Sequence, residues 1–449
     1  MRIPKTAPSF DQVLQWLDEV KDSTIERQVL TAGMLDDKQR YTHWEKLRFK
    51  KHPEGLSAEL WWAGLKIARC GASRKLAVDG IDGAPLRWCE PLSLSAALHQ
   101  LDMHAAGTLK MDERVNRAET RNTYIVRSLI EEAITSSQLE GASTTLVEAK
   151  EMLRQNRQPR TKDETMIRNN YQVMSFIREQ HDTPLTSDMV LELHRMVTED
   201  TLEQPERAGV LRQPTDPVMV VDTVSGDVLH TPPAAESLAA RLKFLCDFAN
   251  GSVPGEFIHP VLRAIITHFL LAYDHPFVDG NGRTARALFY WVMLRNGYWL
   301  MEFITISKII KRAPRQYGQA FLHTETDEND MTYFIFHQLG VIKKAVEELQ
   351  EYLDRKQQEM RAARELIAHS PRLNSELNAR QLGLLRHALE NPRHAYRIED
   401  HMRSHGITYE TARRDLLSLA DLKLLGKVKQ GRTWLFPVPS QLRERLVAR

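Results

Sequence analysis

A chain of 449 residues, 42% hydrophobic and 27% charged, is long enough for two to four domains of roughly 150 residues each and can bury a sizeable core. A mean hydropathy of −0.42, with no run near the ~18 apolar residues of a membrane span, argues against a helical membrane protein. The start, MRIPKTAPSF, lacks an apolar signal region, so the expected location is the cytoplasm. Cys70, Cys89 and Cys246 are odd in number and lack C-x-x-C spacing, which speaks against a disulfide framework or a zinc site. The net charge of +2 is uneven: residues 378–449 hold fourteen Lys/Arg against seven Asp/Glu, so the body upstream is mildly acidic.

Residues 1–110 carry five of the eight tryptophans, Trp16, Trp44, Trp61, Trp62 and Trp88. Their patterning predicts helices from Phe10 to Val20 and from Ser57 to Ala68, and Asp79-Gly80 with Asp82-Gly83 predicts a loop or short hairpin. No catalytic motif falls here, and His43 and Cys70 read as structural. From about Asp112 the pattern turns helical. Val126, Leu129, Ile130, Ala133 and Ile134 share a face, the helix ends at Glu140-Gly141, and Ser136 and Glu140, four apart, lie on one side of it. Helices are expected at 144–155, 163–180 and 187–199. Val218 to Val221 and Val228 to His230, around a turn-rich Asp222 to Asp227, predict a short hairpin.

Leu262, Ile265, Ile266, Phe269, Leu270 and Tyr273 then recur at helical spacing, with Val261, Ala264 and Leu271 filling in, so this helix should be buried. Leu288, Phe289, Val292 and Met293 predict another, ending at Gly297. Between them lies His275-Pro276-Phe277-Val278-Asp279-Gly280-Asn281-Gly282-Arg283-Thr284-Ala285-Arg286. A polar loop between buried helices needs partners for its polar groups, and a bound polyanion supplies them. Gly280 and Gly282 allow close approach of the backbone to a ligand. The helix opening near Arg283 offers unpaired N–H groups and a positive dipole end, together a phosphate seat. Arg283 and Arg286 are at the unfavourable end of that dipole unless phosphates lie between them. Asp279 suits Mg²⁺, and His275 can take a hydroxyl proton near neutral pH.

The twelve residues HPFVDGNGRTAR resemble the Fic motif, H-x-F-x-[DE]-G-N-G-R-x-x-R, at every specified position. The resemblance implies transfer of AMP from ATP to a hydroxyl of a target protein bearing Ser, Thr or Tyr. It makes His275 the general base and Asp279 the ligand of Mg²⁺, with Mn²⁺ as an alternative. Gly280, Asn281 and Gly282 would surround the inner phosphates, and Arg283 and Arg286 the outer ones, with Phe277 anchoring the loop. A Fic-like kinase carries Lys where this chain has Gly282, which favours nucleotidyl transfer. Ser136-Ser137-Gln138-Leu139-Glu140-Gly141 resembles the Fic inhibitory pattern [ST]-x-x-x-E-[GN], so Ser136 and Glu140 are expected to be regulatory, with Glu140 pairing with Arg286. The hairpin resembles the flap that holds the target segment by strand addition, and Gly209-Val210-Leu211-Arg212 and Thr231-Pro232-Pro233 resemble its surroundings. Asp274 departs from the usual apolar residue, and an adjacent carboxylate would raise the pKa of His275. His268 reads as a core histidine.

Tyr317 and Asp330-Met331-Thr332, with Tyr333 and Phe334 opening a further helix, resemble the rear of the Fic core. Residues 342 to about 370 predict a separate charged connector helix with Pro371 as a break. Three short helices follow, Ala379 to Leu389, Arg397 to His405 and Thr408 to Ala420. With Val428, Trp434, Leu435 and Phe436 around Gly431-Arg432, they resemble a winged helix-turn-helix, and the basic surplus points to DNA.

The expected architecture is therefore mainly α: a Fic-type helical bundle with a small β-hairpin flap (111–350, inhibitory helix included), a helical N-terminal domain (1–110), a charged connector (351–376) and a C-terminal winged helix-turn-helix (377–449). The expected activity is protein adenylyl transfer autoinhibited by Glu140, with ATP as substrate, a homodimer as a possible assembly, and no membrane partner. An ATP-sensing transcriptional regulator and an enzyme removing AMP from modified proteins are the alternatives.

Overall fold

The computed structural model describes the chain apart from residues 104–117, 223–224, 254, 256, 370–374, 392–393, 431–432 and 448–449. Four helices open it: α1 (Phe10–Asp18), α2 (Ser23–Leu30), α3 (Trp44–Leu47) and α4 (Ala58–Gly71). Ser9, Asp22, His43 and Ser57 each accept a backbone N–H of the helix they precede, which satisfies one orphan donor per helix. Trp44, Trp61, Trp62, Val13 and Leu47 make their shared core. Strands β1 (Arg74–Asp79) and β2 (Pro85–Trp88) form the hairpin expected around the two Asp-Gly pairs, and α5 (Leu92–Leu101) follows. Cys70 takes a hydrogen bond from Arg87, and His43 stacks on His323 with centroids 4.4 Å apart, so both are packed parts of the scaffold. Buried Lys66 pairs with Asp327, and Ala7 N–H donates to Thr326 O at 2.7 Å, tying this region to the helices described next.

The bundle consists of α6 (Ala118–Leu139), α7 (Leu146–Gln155), α8 (Lys162–Gln180), α9 (Ser187–Thr198), the hairpin β3 (Val220–Val221) and β4 (Val228–His230), α10 (Leu238–Ala249), α11 (Pro260–Asp274), α12 (Asn281–Arg295), α13 (Ile306–Arg312), α14 (Pro314–Glu325) and α15 (Thr332–His369). As the apolar spacing predicts, α11 is buried around its circumference, and α12 packs beside it, buried from Arg283 to Leu294. Gly297 closes α12 at φ 81°. Two expectations change. Val218 and Met219 lie outside β3, which leaves two residues on that side of the hairpin, and residues 223–224 of its turn fall outside the described chain. The helix expected from 342 starts at Thr332 and runs unbroken to His369, because Phe334, Ile335, Leu339, Ile342 and Val346 form one buried stripe and Gly340 alone does not end it. Pro371 and the start of the helix expected near Asp112 fall outside the described residues.

Contacts divide the chain into two units, Met1–Glu347 and Glu348–Arg449. The second unit holds α16 (Ala379–Glu390), β5 (Ala395–Arg397), α17 (Ile398–His405), α18 (Tyr409–Asp421), β6 (Val428–Gln430), β7 (Thr433–Pro437) and α19 (Leu442–Val447). Its sheet runs β5-β7-β6, all antiparallel, and Leu385, Leu416, Leu419 and Phe436 centre its core. Gly406 makes the left-handed cap between α17 and α18. Asp415 receives Asn378, Arg380 and His401, fastening α18 to α16 and α17. The Gly431-Arg432 turn lies outside the described residues. Among the described residues no helix is long and apolar enough to cross a membrane.

Candidate active site

Helix α11 stops because His275 takes a left-handed conformation, φ 44° and ψ 56°, which turns the chain sharply into the loop. Its ring is half-buried, and Nδ1 lies 3.2 Å from Ala272 O. A carbonyl only accepts, so Nδ1 carries the proton and Nε2 keeps its lone pair. Burial lowers the pKa of His275 from its ordinary value, against a smaller upward pull from the Ala272 carbonyl. The rise expected from Asp274 does not occur. That carboxylate turns away to Arg241, whose Nε donates at 2.7 Å, and is spent on the scaffold. The result is a neutral imidazole with one free nitrogen, the form a general base requires.

The loop between His275 and Asn281 is held from three sides. Asn281 makes a reciprocal pair with the backbone of Phe277, accepting its N–H at 3.0 Å and donating to its O at 2.8 Å, while the Phe277 ring is fully buried. His194 of α9 stacks flat on that ring, with centroids 3.7 Å apart and planes within 4°. Its Nδ1 accepts Gly209 N–H at 2.9 Å, so its Nε2 carries the proton and donates to Asp279 O at 2.8 Å. Burial pushes the pKa of His194 down to about 4, which keeps that tautomer intact. Arg212 fastens the other side: Nε donates to His275 O at 2.9 Å, its own N–H to Pro276 O at 2.8 Å, and Nη2 to Pro233 O. His194 and Arg212 have no role in the sequence reading, although a lone histidine among Val190, Leu193 and Val197 on α9 is the signal of the first.

Gly280, at φ 81°, opens α12, and a Cβ there would lie 2.7 Å from Thr198 Cγ2, so the position demands glycine twice over. Asp279 projects outward, its side chain 53% exposed, with one oxygen accepting Gly280 N–H. Arg283 is 1% exposed. Its Nη1 donates to Val197 O at 2.9 Å, while Nε and Nη2 have no hydrogen-bond partner, and burial lowers its pKa. Two buried guanidinium nitrogens without a hydrogen-bond partner among the described residues, with only a 3.8 Å ion pair from Nη2 to exposed Asp279, beside the N-terminus of a fifteen-residue helix, form a seat for an anion. Arg286 is held on two of its three nitrogens. Nε donates to Ser136 Oγ at 2.8 Å, and Nη2 to Ser136 O at 3.0 Å and to Glu140 Oε1 at 2.8 Å. Glu140 leans over the first turn of α12, where a Cβ added at Gly282 would overlap Oε1. The structure thus brings Ser136, Glu140, Gly282 and Arg286 to one side of the loop and His275 and Asp279 to its rim. His268 belongs to the core, its Nε2 3.0 Å from Tyr317 OH and its pKa pushed down by burial to about 3.

For a divalent cation, Asp279 fits: it is the exposed carboxylate of the loop, a hard oxygen donor beside a seat for anionic oxygens. One carboxylate with phosphate oxygens and water is a common Mg²⁺ environment.

Comparison with known proteins gives the same reading of the loop. The chain is 36% identical over 119 residues to the protein adenylyltransferase Fic of Nematostella vectensis, covering 26% of this chain and 25% of that one. It is likewise 36% identical over 124 residues to the protein adenylyltransferase fic-1 of Caenorhabditis elegans, covering 28% and 22%. The chain therefore spans about a quarter of the length of the curated relatives it matches. A crystal structure of a Fic family protein from Desulfovibrio desulfuricans G20 superposes with a TM-score of 0.49 at 16% identity, covering 78% of this chain and 95% of that chain. Residues 184–293, which include the loop described above, match the model of the Fic/DOC family.

Proposed function

We propose that this chain is a protein adenylyltransferase that moves AMP from ATP to a hydroxyl side chain of a target protein. The observation that carries the reading is one loop holding both a neutral histidine with a free Nε2 and a buried arginine with two nitrogens that make no hydrogen bond among the described residues, at a helix N-terminus. In this reading the triphosphate lies over the first turn of α12. Backbone N–H groups from Gly280 to Arg283 and the bare side of Arg283 orient it, and Arg286 grips its outer end. His275 Nε2 accepts the proton of the incoming hydroxyl as its oxygen attacks the α-phosphorus and pyrophosphate leaves. Asp279 would hold Mg²⁺, which supplies charge neutralisation to the phosphate oxygens. The backbone edge of the β3–β4 hairpin would hold the target segment, and Arg212 keeps that hairpin's flanks fixed to His275.

In the same proposal Glu140 is autoinhibitory. Its carboxylate holds the guanidinium nitrogen that the outer phosphate needs and covers Gly282, so ATP enters but its α-phosphorus is out of line. Mass spectrometry of the purified protein after incubation with ATP and Mg²⁺ tests both parts: added AMP is expected on Glu140→Gly and little on wild type. No adduct on either, with ATP bound by both, defeats the transferase reading and favours an ATP-sensing role. Release of AMP from a pre-modified protein would favour the reverse reaction.

For domain organisation we propose a helical N-terminal domain over 1–110, the Fic core over 111–350, a connector over 351–376 and a winged helix over 377–449 that binds DNA. The short helices with a β5-β7-β6 sheet support the last, as do α18, carrying Arg413 and Arg414, and Lys427 and Lys429 around half-exposed Trp434. A mobility shift of the full chain that weakens steeply with salt and is lost in Arg413→Ala/Arg414→Ala is the expected result. No shift at low salt points instead to protein docking. Three free thiols and no membrane-crossing helix among the described residues support action in the cytoplasm.

A further inference from the structure

The face of α6 that carries Ser136, with Glu140 just beyond the helix end, also carries Glu132, one turn before Ser136. Glu132 is 2% exposed, and its carboxylate accepts from Tyr290 OH at 2.9 Å, Ser307 N–H at 3.2 Å and Ser307 Oγ. Tyr290 stands one turn beyond Arg286 on α12. The two helices therefore meet in two rungs at matching four-residue steps, Glu132 on Tyr290 and Ser136 on Arg286, and Glu140 adds a second contact to the same Arg286. Three neutral donors solvate the Glu132 carboxylate, and among the described residues no cation bonds to it. A charge kept this deep without a bonded counter-ion is costly unless a cation lies within reach of its field. Burial raises its pKa, and after Ser307 it is the field of Arg286 that draws it back.

We propose that Glu132 is a positioning residue that sets how strongly Arg286 holds an anion: a fixed buried counter-charge that weakens the guanidinium's pull on both the Glu140 carboxylate and the outer phosphate of the nucleotide. Glu140 and the phosphate compete for Nη2, and Glu132 lowers the well for each. With Glu132 in place, Arg286 holds Glu140 less firmly than it otherwise would, so the lock can open, and once it is open Arg286 releases the pyrophosphate end after transfer. The rung at Tyr290 has a second effect. It holds Ser136 against Arg286 whichever anion is present, so exchange of one for the other needs only the Glu140-Gly141 turn to move.

This rests on the reading of Arg286 as the grip on the outer phosphate, and the experiment separates the two. Glu132→Gln removes the charge and keeps the shape, since Tyr290 OH and Ser307 Oγ can accept from an amide as well as donate to it. In the protein without nucleotide, amide hydrogen exchange of residues 139–145 should slow in E132Q relative to wild type, because the Glu140 lock tightens. In the Glu140→Gly background, calorimetry with ATP and Mg²⁺ should give a dissociation constant roughly three- to tenfold lower with E132Q than without it. Damage to the fold would move both readouts the other way, with faster exchange and weaker binding, and that result overturns the proposal, as does no change in either. Should E132Q fold poorly, Ser307→Ala takes one donor from the carboxylate, favours its neutral form and should shift both readouts in the same direction by less. Slowed exchange with no AMP adduct in any variant would leave this inference standing and defeat the transferase reading.

Discussion

The corner around Arg283 and the corner around Arg286 lie three residues apart on one helical turn, yet their circumstances are opposite. Arg283 has one backbone carbonyl, a 3.8 Å ion pair with Asp279 and two nitrogens without a hydrogen bond among the described residues, whereas Arg286 is met by Ser136 twice and by Glu140 at 2.8 Å. Both guanidinium groups are buried and both sit at the wrong end of the α12 dipole. In the proposed function the protein covers one closely with its own carboxylate and leaves the other for a ligand, so that binding and control are separated: a nucleotide would seat itself at Arg283 without disturbing α6 and become productive only after winning Arg286.

The broadest test leaves both corners intact. His275→Ala should lower AMP transfer ~10²–10⁴-fold in the Glu140→Gly background while ATP affinity, measured by calorimetry, is unchanged. A comparable loss of affinity would mean that the histidine belongs to the binding seat. Next in size is the Arg286 corner. Glu140→Gly should raise self-labelling by roughly 10²-fold, the cost of about an ångström of misalignment, and adding Arg286→Ala should cancel the gain. If Arg286→Ala alone raised labelling as much, Glu140 would be acting through something else. The Arg283 corner sharpens the contrast. In wild type, Arg283→Ala should weaken ATP binding about tenfold or more, as befits the loss of charged hydrogen bonds, whereas Arg286→Ala should weaken it little, because that side chain is already taken. Equal losses would erase the distinction between the corners.

The smallest effect concerns acid. His43, His194, His268 and His323 are buried neutral, with pKa values pushed down to about 4, 4, 3 and 3. The unfolded chain binds protons on these groups near pH 6.5 and the folded chain does not, so stability is full above that value and falls as the pH drops toward 4. A melting temperature flat between pH 6.5 and 4.5 would contradict this. Transfer should hold its rate somewhat further into acid than an ordinary histidine base allows, since burial lowers the pKa of His275 too.

Most of this site was legible because its parts are contiguous. Twelve consecutive residues carry the proposed base, the proposed metal ligand, the glycines and both arginines, and helical periodicity on either side sets them between buried helices. Ser136 and Glu140 were legible from their four-residue spacing, together with the resemblance. The partners that the chain brings in from a distance were not. Val197 offers Arg283 a backbone carbonyl, which no side-chain pattern reveals, and His194 reaches Asp279 across 85 positions of sequence. Asp274 misled, because adjacency in sequence at a helix end placed its carboxylate on the opposite side from the His275 ring, toward Arg241. The long α15 was read as two helices because its apolar stripe gives way to charge near residue 347, a change of surroundings rather than of backbone.

The crowding at Gly282 carries a consequence for how this sequence can drift. A methyl group there would collide with the Glu140 carboxylate and crowd the Arg286 guanidinium, so the acid and the glycine are bound into one unit of inheritance. Alanine at 282 in the present chain would expel Glu140 from its place. In a lineage that had already lost the acid, the same alanine would meet one obstacle fewer, and the order in which the two changes arise decides whether the first is felt as a loss of restraint or passes in silence.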